Sequence, residues 1–250
     1  MTYIVAIAGK GGVGKSTLSS MLIQALSERT GEIILAVDAD PNANLGDKLG
    51  VEVEGTIGQL REDLLERADE IPTGVSKQDM VMYHLRLAMV EGKKFDLITM
   101  GRQEGRGCYC YINNLLRTFL DNVMEDYPYV VIDNEAGMEH LSRRTCQRMD
   151  ALIVVSDPTS VGITTARRIL ELAKEMEIDF SSNLLVINRV KGELPANLLE
   201  DIEDAGFDNW TILPHDEEIE LLTEQGLPLT GLSRDNISTE SIRKLAQQLR

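Results

Sequence analysis

Gly9-Lys10-Gly11-Gly12-Val13-Gly14-Lys15-Ser16 is the stretch of this sequence with the most chemistry in it. Its glycines let the backbone turn tightly enough for consecutive N–H groups to converge on an anion. An apolar run precedes it and a helical pattern follows, so the turn opens a helix whose positive end faces the same anion. A G-x-x-x-x-G-K-[ST] string in that setting is a phosphate-binding loop. Lys15 is then placed to reach the β- and γ-phosphates of ATP, and the Ser16 hydroxyl, followed by Thr17, to ligate Mg²⁺.

Three acids complete such a site. Asp38-Ala39-Asp40-Pro41 follows an apolar run, at the carboxyl edge where open α/β sheets bind ligands. Tyr129-Val130-Val131-Ile132-Asp133 is an apolar strand that ends in an acid, and a carboxylate at a strand tip can hold Mg²⁺ through water. Asp38 reads either as a further Mg²⁺ carboxylate or as a cap for the next element. Further on, Leu184-Leu185-Val186-Ile187-Asn188-Arg189 places an amide at a strand end, able to donate and accept at once, and Leu213-Pro214-His215 ends the next strand.

A second constellation is Gly105-Arg106-Gly107-Cys108-Tyr109-Cys110. A C-x-C pair can aim both sulfurs at one ion, and the helix that follows favours thiolate, the metal-binding form. Thiolates suit Zn²⁺, Cu(I) and Ni²⁺. Two sulfurs do not close a tetrahedral site. The simplest completion is the same pair from a second copy across a two-fold axis.

The elements that must position these residues follow from hydrophobic rhythm. Apolar runs predict strands at Tyr3–Ala8, Ile33–Val37, Phe95–Met100, Tyr129–Ile132, Ala151–Val155, Leu184–Ile187 and Thr211–Leu213. Helical spacing fills Lys15–Arg29, Met80–Glu91, Tyr111–Glu125, Thr164–Met176, Pro195–Ala205, Glu217–Glu224 and Thr239–Leu249. Continuous apolar strands alternating with helices predict an α/β fold with a mostly parallel sheet of seven or eight strands, helices on both faces, in one P-loop domain over residues 1–250.

Composition narrows the setting. The chain has 250 residues, 25 basic and 41 acidic, for a net charge of −16. That balance argues against nucleic acid and anionic membrane as partners. The longest uncharged run is 12 residues, Ser16 to Ser27, short of the roughly 20 a bilayer span needs. Three cysteines and no leader-like start predict reduced thiols in the cytoplasm. Between Lys191 and Arg234 lie eleven acidic residues and no Lys or Arg, which reads as a solvated acidic face or a docking patch for a basic partner.

With Lys10 directly after the first glycine, the string Gly9–Thr17 resembles the deviant Walker A motif. Septum-positioning, plasmid-partition, arsenite-pump and nitrogenase-iron-protein ATPases share that motif. Together with that string, the Gly101–Cys110 stretch and Asp133-Asn134-Glu135-Ala136-Gly137-Met138-Glu139-His140 resemble the CooC-type ATPases. These serve nickel insertion into carbon monoxide dehydrogenase, and a close relative serves acetyl-CoA synthase. The resemblance runs over essentially the whole chain. It implies that Lys10 crosses a homodimer interface to the facing nucleotide, and that Asp40 orients or deprotonates the attacking water. It further implies that Asn134, Glu135 and Gly137 form a second switch, and that Asn188, Arg189 and Pro214 hold the base. Cys108 and Cys110 become a shared Ni²⁺ or Zn²⁺ site, and the apo nickel enzyme becomes the client. Two other readings attach to the same resemblance. One is a positioning ATPase acting on a membrane or protein partner. The other is an ATP-dependent reductase like the nitrogenase iron protein, whose second cluster cysteine is matched here by His140, with Cys146 six residues further along.

Overall fold

The computed structural model describes residues 1–66, 77–101, 110–135, 148–233 and 235–250. In chain order its strands are β1 (Tyr3–Gly9), β2 (Ile34–Asp38), β3 (Val90–Glu91), β4 (Phe95–Thr99), β5 (Tyr129–Asp133), β6 (Arg148–Ser156), β7 (Asp179–Val190) and β8 (Asn209–Pro214). They form one eight-stranded sheet in the order β3-β4-β2-β5-β1-β6-β7-β8. The pairing is parallel throughout except for the short β3–β4 pair.

The helices are α1 (Lys15–Thr30), α2 (Leu45–Leu49), α3 (Ile57–Glu66), α4 (Lys77–Leu87), α5 (Cys110–Glu125), α6 (Ser160–Glu175), α7 (Ala196–Glu203), α8 (Glu217–Glu224) and α9 (Ile237–Gln248). Side chains alternate across the sheet, and β1 shows it plainly. Val5 and Ile7 enter a core shared with Leu18, Leu22 and Leu26 of α1 and Leu245 of α9. Ala6 and Ala8 enter the opposite core with Phe119 of α5, Ile163 of α6 and Leu198 of α7. All four β1 residues are fully buried, which is why the run shows no polar alternation. Among the described residues no helix is long and apolar enough to cross a membrane.

Two expectations need correction. The helix expected over Met80–Glu91 ends at Leu87, and Val90–Glu91 turns back as β3 against Leu97 and Asp96 of β4. A tight reversal drives this, with the Gly92 N–H donating to the Phe95 carbonyl at 2.7 Å. The strand expected at Leu184–Ile187 begins at Asp179, because its polar first residues pair with the start of β6, from Arg148. Helices α2 and α3 had no counterpart in the apolar pattern.

Candidate functional site

The central strand β1 delivers the loop, and its neighbours deliver the acids. Ile7 pairs with Asp133 of β5, and Asp133 pairs in turn with Asp38 of β2. The two carboxylates therefore stand side by side at the carboxyl edge, next to where the chain leaves β1. Backbone bonds lace the tips together: Ala39 N–H to the Asp133 carbonyl (2.9 Å) and Asn134 N–H to the Ile7 carbonyl (3.1 Å). The Asn134 side chain adds a second bond to that Ile7 carbonyl, at 3.0 Å.

Two glycines make the loop possible. Gly9 has φ +153°, and a Cβ there would lie 2.4 Å from the Val155 carbonyl oxygen of β6. Gly14, at φ +99°, would put a Cβ 2.4 Å from Nδ2 of Asn188. Position 14 admits no side chain while Asn188 keeps its place. Asn188 Nδ2 donates to the Val13 carbonyl at 2.8 Å, and Arg189 donates to the Gly12 carbonyl at 3.0 Å. The tip of β7 thus grips the loop from the side, with Arg189 at the left-handed φ of 60°.

Lys15 is 6% exposed. Its ammonium donates to the Lys10 carbonyl at 3.3 Å. Burial lowers its pKa, while Asp133, Asp40 and Glu135 pull it back up. Asp133 is fully buried, and burial pushes its pKa up to about 6, against the lowering effect of Ser16, Ser19 and Lys15. Ser19 Oγ lies 3.0 Å from both Asp133 Oδ1 and the Lys15 carbonyl, so its single proton serves one at a time. Asp133 Oδ2 is buried and has no hydrogen-bond partner among the described residues. A divalent cation fits that orphaned oxygen, because it restores the interaction the carboxylate lost on leaving water.

Asp38 is committed differently. Its Oδ1 accepts from Asp40 N–H (3.1 Å) and its Oδ2 from Leu45 N–H (2.9 Å), tying the loop after β2 to the start of α2. Burial, first, and the nearby Asp133 charge raise its pKa to about 7. Asp40 sits in the loop and accepts from the Asn42 N–H and amide at 2.9 and 2.8 Å.

A cavity of about 540 Å³ runs from Gly11, Lys15 and Ser16 to Asp40 and Glu135. A second, of about 310 Å³, is walled by Leu18, Asn188, Leu213, Pro214 and His215. Both are lined by Thr17, Arg189 and Thr223, which makes one groove from the phosphate loop to Pro214. The structure brings Gly9–Thr17, Asp38, Asp40, Asp133, Asn134, Glu135, Asn188, Arg189 and Pro214 to this one edge. Cys108 and Gly137 lie outside the described residues, as do His140 and Cys146. Cys110 opens α5 with its side chain undescribed. Among the described residues no group of three or more His, Cys, Asp or Glu side chains could hold a metal ion.

Sequence reasoning missed Ser19 and the grip of Asn188 and Arg189 on the loop. Ser19 lies three residues after Ser16 on α1, a helical spacing that puts both on one face toward Asp133. That spacing was the available signal.

A glycine-rich loop between the central parallel strand and a helix, with strand-tip carboxylates beside it, defines a P-loop nucleotide-binding protein. The comparisons agree. A family profile described as "AAA domain" matches residues 1–186. An uncharacterised ATP-binding protein of Methanocaldococcus jannaschii is 44% identical over 248 residues, spanning 98% of each chain. The carbon monoxide dehydrogenase accessory protein CooC of Rhodospirillum rubrum is 32% identical over 240 residues, covering 92% of this chain and 90% of that one. The fold is that of a ParA family ATPase from Chlorobium tepidum, with a TM-score of 0.73 at 19% identity, covering 100% and 99% of the two chains. The chain belongs to this AAA-domain family of P-loop ATPases.

Proposed function

We propose that the protein is a nucleotide-dependent metallochaperone, a single ATPase domain over residues 1–250 that works as a homodimer. ATP lies in the groove with its phosphates on the Gly9–Thr17 loop and Lys15, and its base against Asn188, Arg189 and Pro214. Ser16 and Asp133 hold Mg²⁺, with Asp38 behind them. Held there, Mg²⁺ would neutralise charge that develops on the phosphates. Asp40 aligns the attacking water, and Lys10 reaches the nucleotide of the facing protomer. Asn134, Glu135 and Gly137 report the γ-phosphate to the rest of the chain. Positioning and charge carry most of phosphoryl transfer, so these groups suffice without a covalent step.

The cargo is Ni²⁺ or Zn²⁺, taken between Cys108 and Cys110 of two protomers, and the client is an apo nickel enzyme such as carbon monoxide dehydrogenase or acetyl-CoA synthase. One observation carries this reading: the chain unites a C-x-C pair with 32% identity, over 92% of its length, to a carbon monoxide dehydrogenase accessory protein. Nucleotide governs cargo only if the closed dimer binds both more tightly than the open chains do.

The test is equilibrium dialysis against nickel with Mg²⁺ and a non-hydrolysable ATP analogue. Wild-type chain is expected to bind one ion per dimer. The Cys108→Ser/Cys110→Ser chain should bind none while its melting temperature still rises with the analogue. Undiminished nickel binding by the double variant would refute the cysteine site.

A further inference from the structure

Among the described residues, Lys15, Arg189 and Lys48 are the Lys and Arg side chains that line the nucleotide groove. Lys15 donates to the Lys10 carbonyl and Arg189 to the Gly12 carbonyl, so both are engaged with the phosphate loop itself. Lys48 reaches the groove from α2, on another wall.

Three hydrogen bonds fix where its ammonium stands. At the start of α2, Asp38 Oδ2 accepts from the Leu45 N–H at 2.9 Å. Near its end, the Lys48 carbonyl accepts from Ser20 Oγ of α1 at 3.2 Å. Ser20 is buried, one helical turn after Ser16 and Thr17 and on the same face as they are. From there the Lys48 stem runs to α8, where Nζ donates to Thr223 Oγ1 at 3.1 Å. Burial lowers the Lys48 pKa, against the pull of neighbouring Asp47. The acceptor at Thr223 is a neutral hydroxyl, whereas an ammonium bonds about twice as strongly to an anion.

The groove walls make that cation matter. Asp40, Asp47 and Glu135 line the first cavity, and Asp216, Glu220 and Glu224 line the second. A polyphosphate entering between these carboxylates is repelled except where a cation stands. Thr17 and Thr223 line both cavities, so they mark the junction between them. With the terminal phosphates on the loop and the base at Pro214, the junction receives the α-phosphate and its ribose. We propose that Lys48 is a further nucleotide-binding residue, whose ammonium bridges the Thr223 hydroxyl and the α-phosphate. Bound nucleotide then ties α2 to α8, and through Asp38 it also ties in the loop that carries Asp40. This assignment rests on the reading of the groove as an ATP site and adds a residue to it.

The experiment is titration calorimetry of the full chain with Mg²⁺-ADP and with Mg²⁺ and a non-hydrolysable ATP analogue. Lys48→Met keeps the stem and removes the charge. It should weaken both nucleotides by the same factor, about ten-fold, because both carry the α-phosphate. Lys48→Arg, which keeps the cation, should recover most of that loss. Thr223→Val removes the hydroxyl, and in that background Lys48→Met should still cost about ten-fold. A lysine that merely strapped α2 to α8 would have nothing left to lose there. Unchanged affinity in Lys48→Met, a loss confined to the ATP analogue, a loss that Lys48→Arg shares in full, or a loss that vanishes in the Thr223→Val background would each overturn this assignment alone. Wild-type chain that bound neither nucleotide would overturn it together with the ATP-site reading.

Discussion

Lys15→Ala is expected to fold, to lose ATP turnover by roughly 10²–10³-fold, and to gain no thermal stability from Mg²⁺-ATP. The side chain is almost wholly buried at the first turn of α1. Its ammonium has the Lys10 carbonyl at a long 3.3 Å, and burial presses its pKa down. A desolvated cation held this way is costly until an anion arrives. Phosphate oxygens bound at the Gly9–Thr17 loop would supply that anion. At a nucleotide concentration of about 100 times Kd, the wild-type chain should gain about 2.7 kcal/mol. For a chain of this size that is roughly 5–10 °C in melting temperature. Scanning fluorimetry and phosphate release read both effects. A variant that kept turnover and the thermal shift would reduce Lys15 to a packing residue.

Asp133→Asn should move stability and function in opposite directions. Asp133 is fully buried, one carboxylate oxygen has no partner among the described residues, and its pKa stands at about 6 against an ordinary 3.8. A folded pKa above the unfolded one means that ionisation opposes folding. The penalty is absent below about pH 4, grows as pH rises toward 6, and is complete above it. Asparagine removes the charge and keeps the shape, though its amide inherits the unpartnered position. The net gain is about 1–2 kcal/mol at neutral pH, on the order of 5 °C in the nucleotide-free chain. The advantage should vanish near pH 4. The same variant should lose the stabilisation that Mg²⁺ adds to ATP, because the orphaned oxygen that fits the cation is gone. Melting curves from pH 4 to 8, with and without Mg²⁺-ATP, measure all of this. A variant less stable than wild type at pH 8 would show that the carboxylate is held by bonds and not strained by burial.

Residues whose chemistry is fixed by local backbone were legible in the sequence. The P-loop announces itself because Gly9 and Gly14 occupy conformations that side chains cannot share with Val155 and Asn188. Asp133 stands out because an acid at the end of a buried apolar strand needs a reason to be there. The parallel sheet was legible because β1, β5 and β6 are buried on both faces. What stayed hidden depends on distant contacts. Asn188 and Arg189 hold loop carbonyls some 175 residues away in the chain, and no local pattern encodes that. Helix α2 is five residues long and is held by Asp38 accepting from Leu45 N–H, so its short apolar set never completes a period. β3 is two residues whose pairing rests on the Gly92 reversal.

Native mass spectrometry of the wild-type chain with nickel tests the central claim most directly, with and without Mg²⁺ and a non-hydrolysable ATP analogue. The expected result is paired chains carrying one nickel and two nucleotides when the analogue is present, and single chains without nickel when it is absent. Single chains that retain nickel in both conditions would contradict a cargo site built from two protomers under nucleotide control.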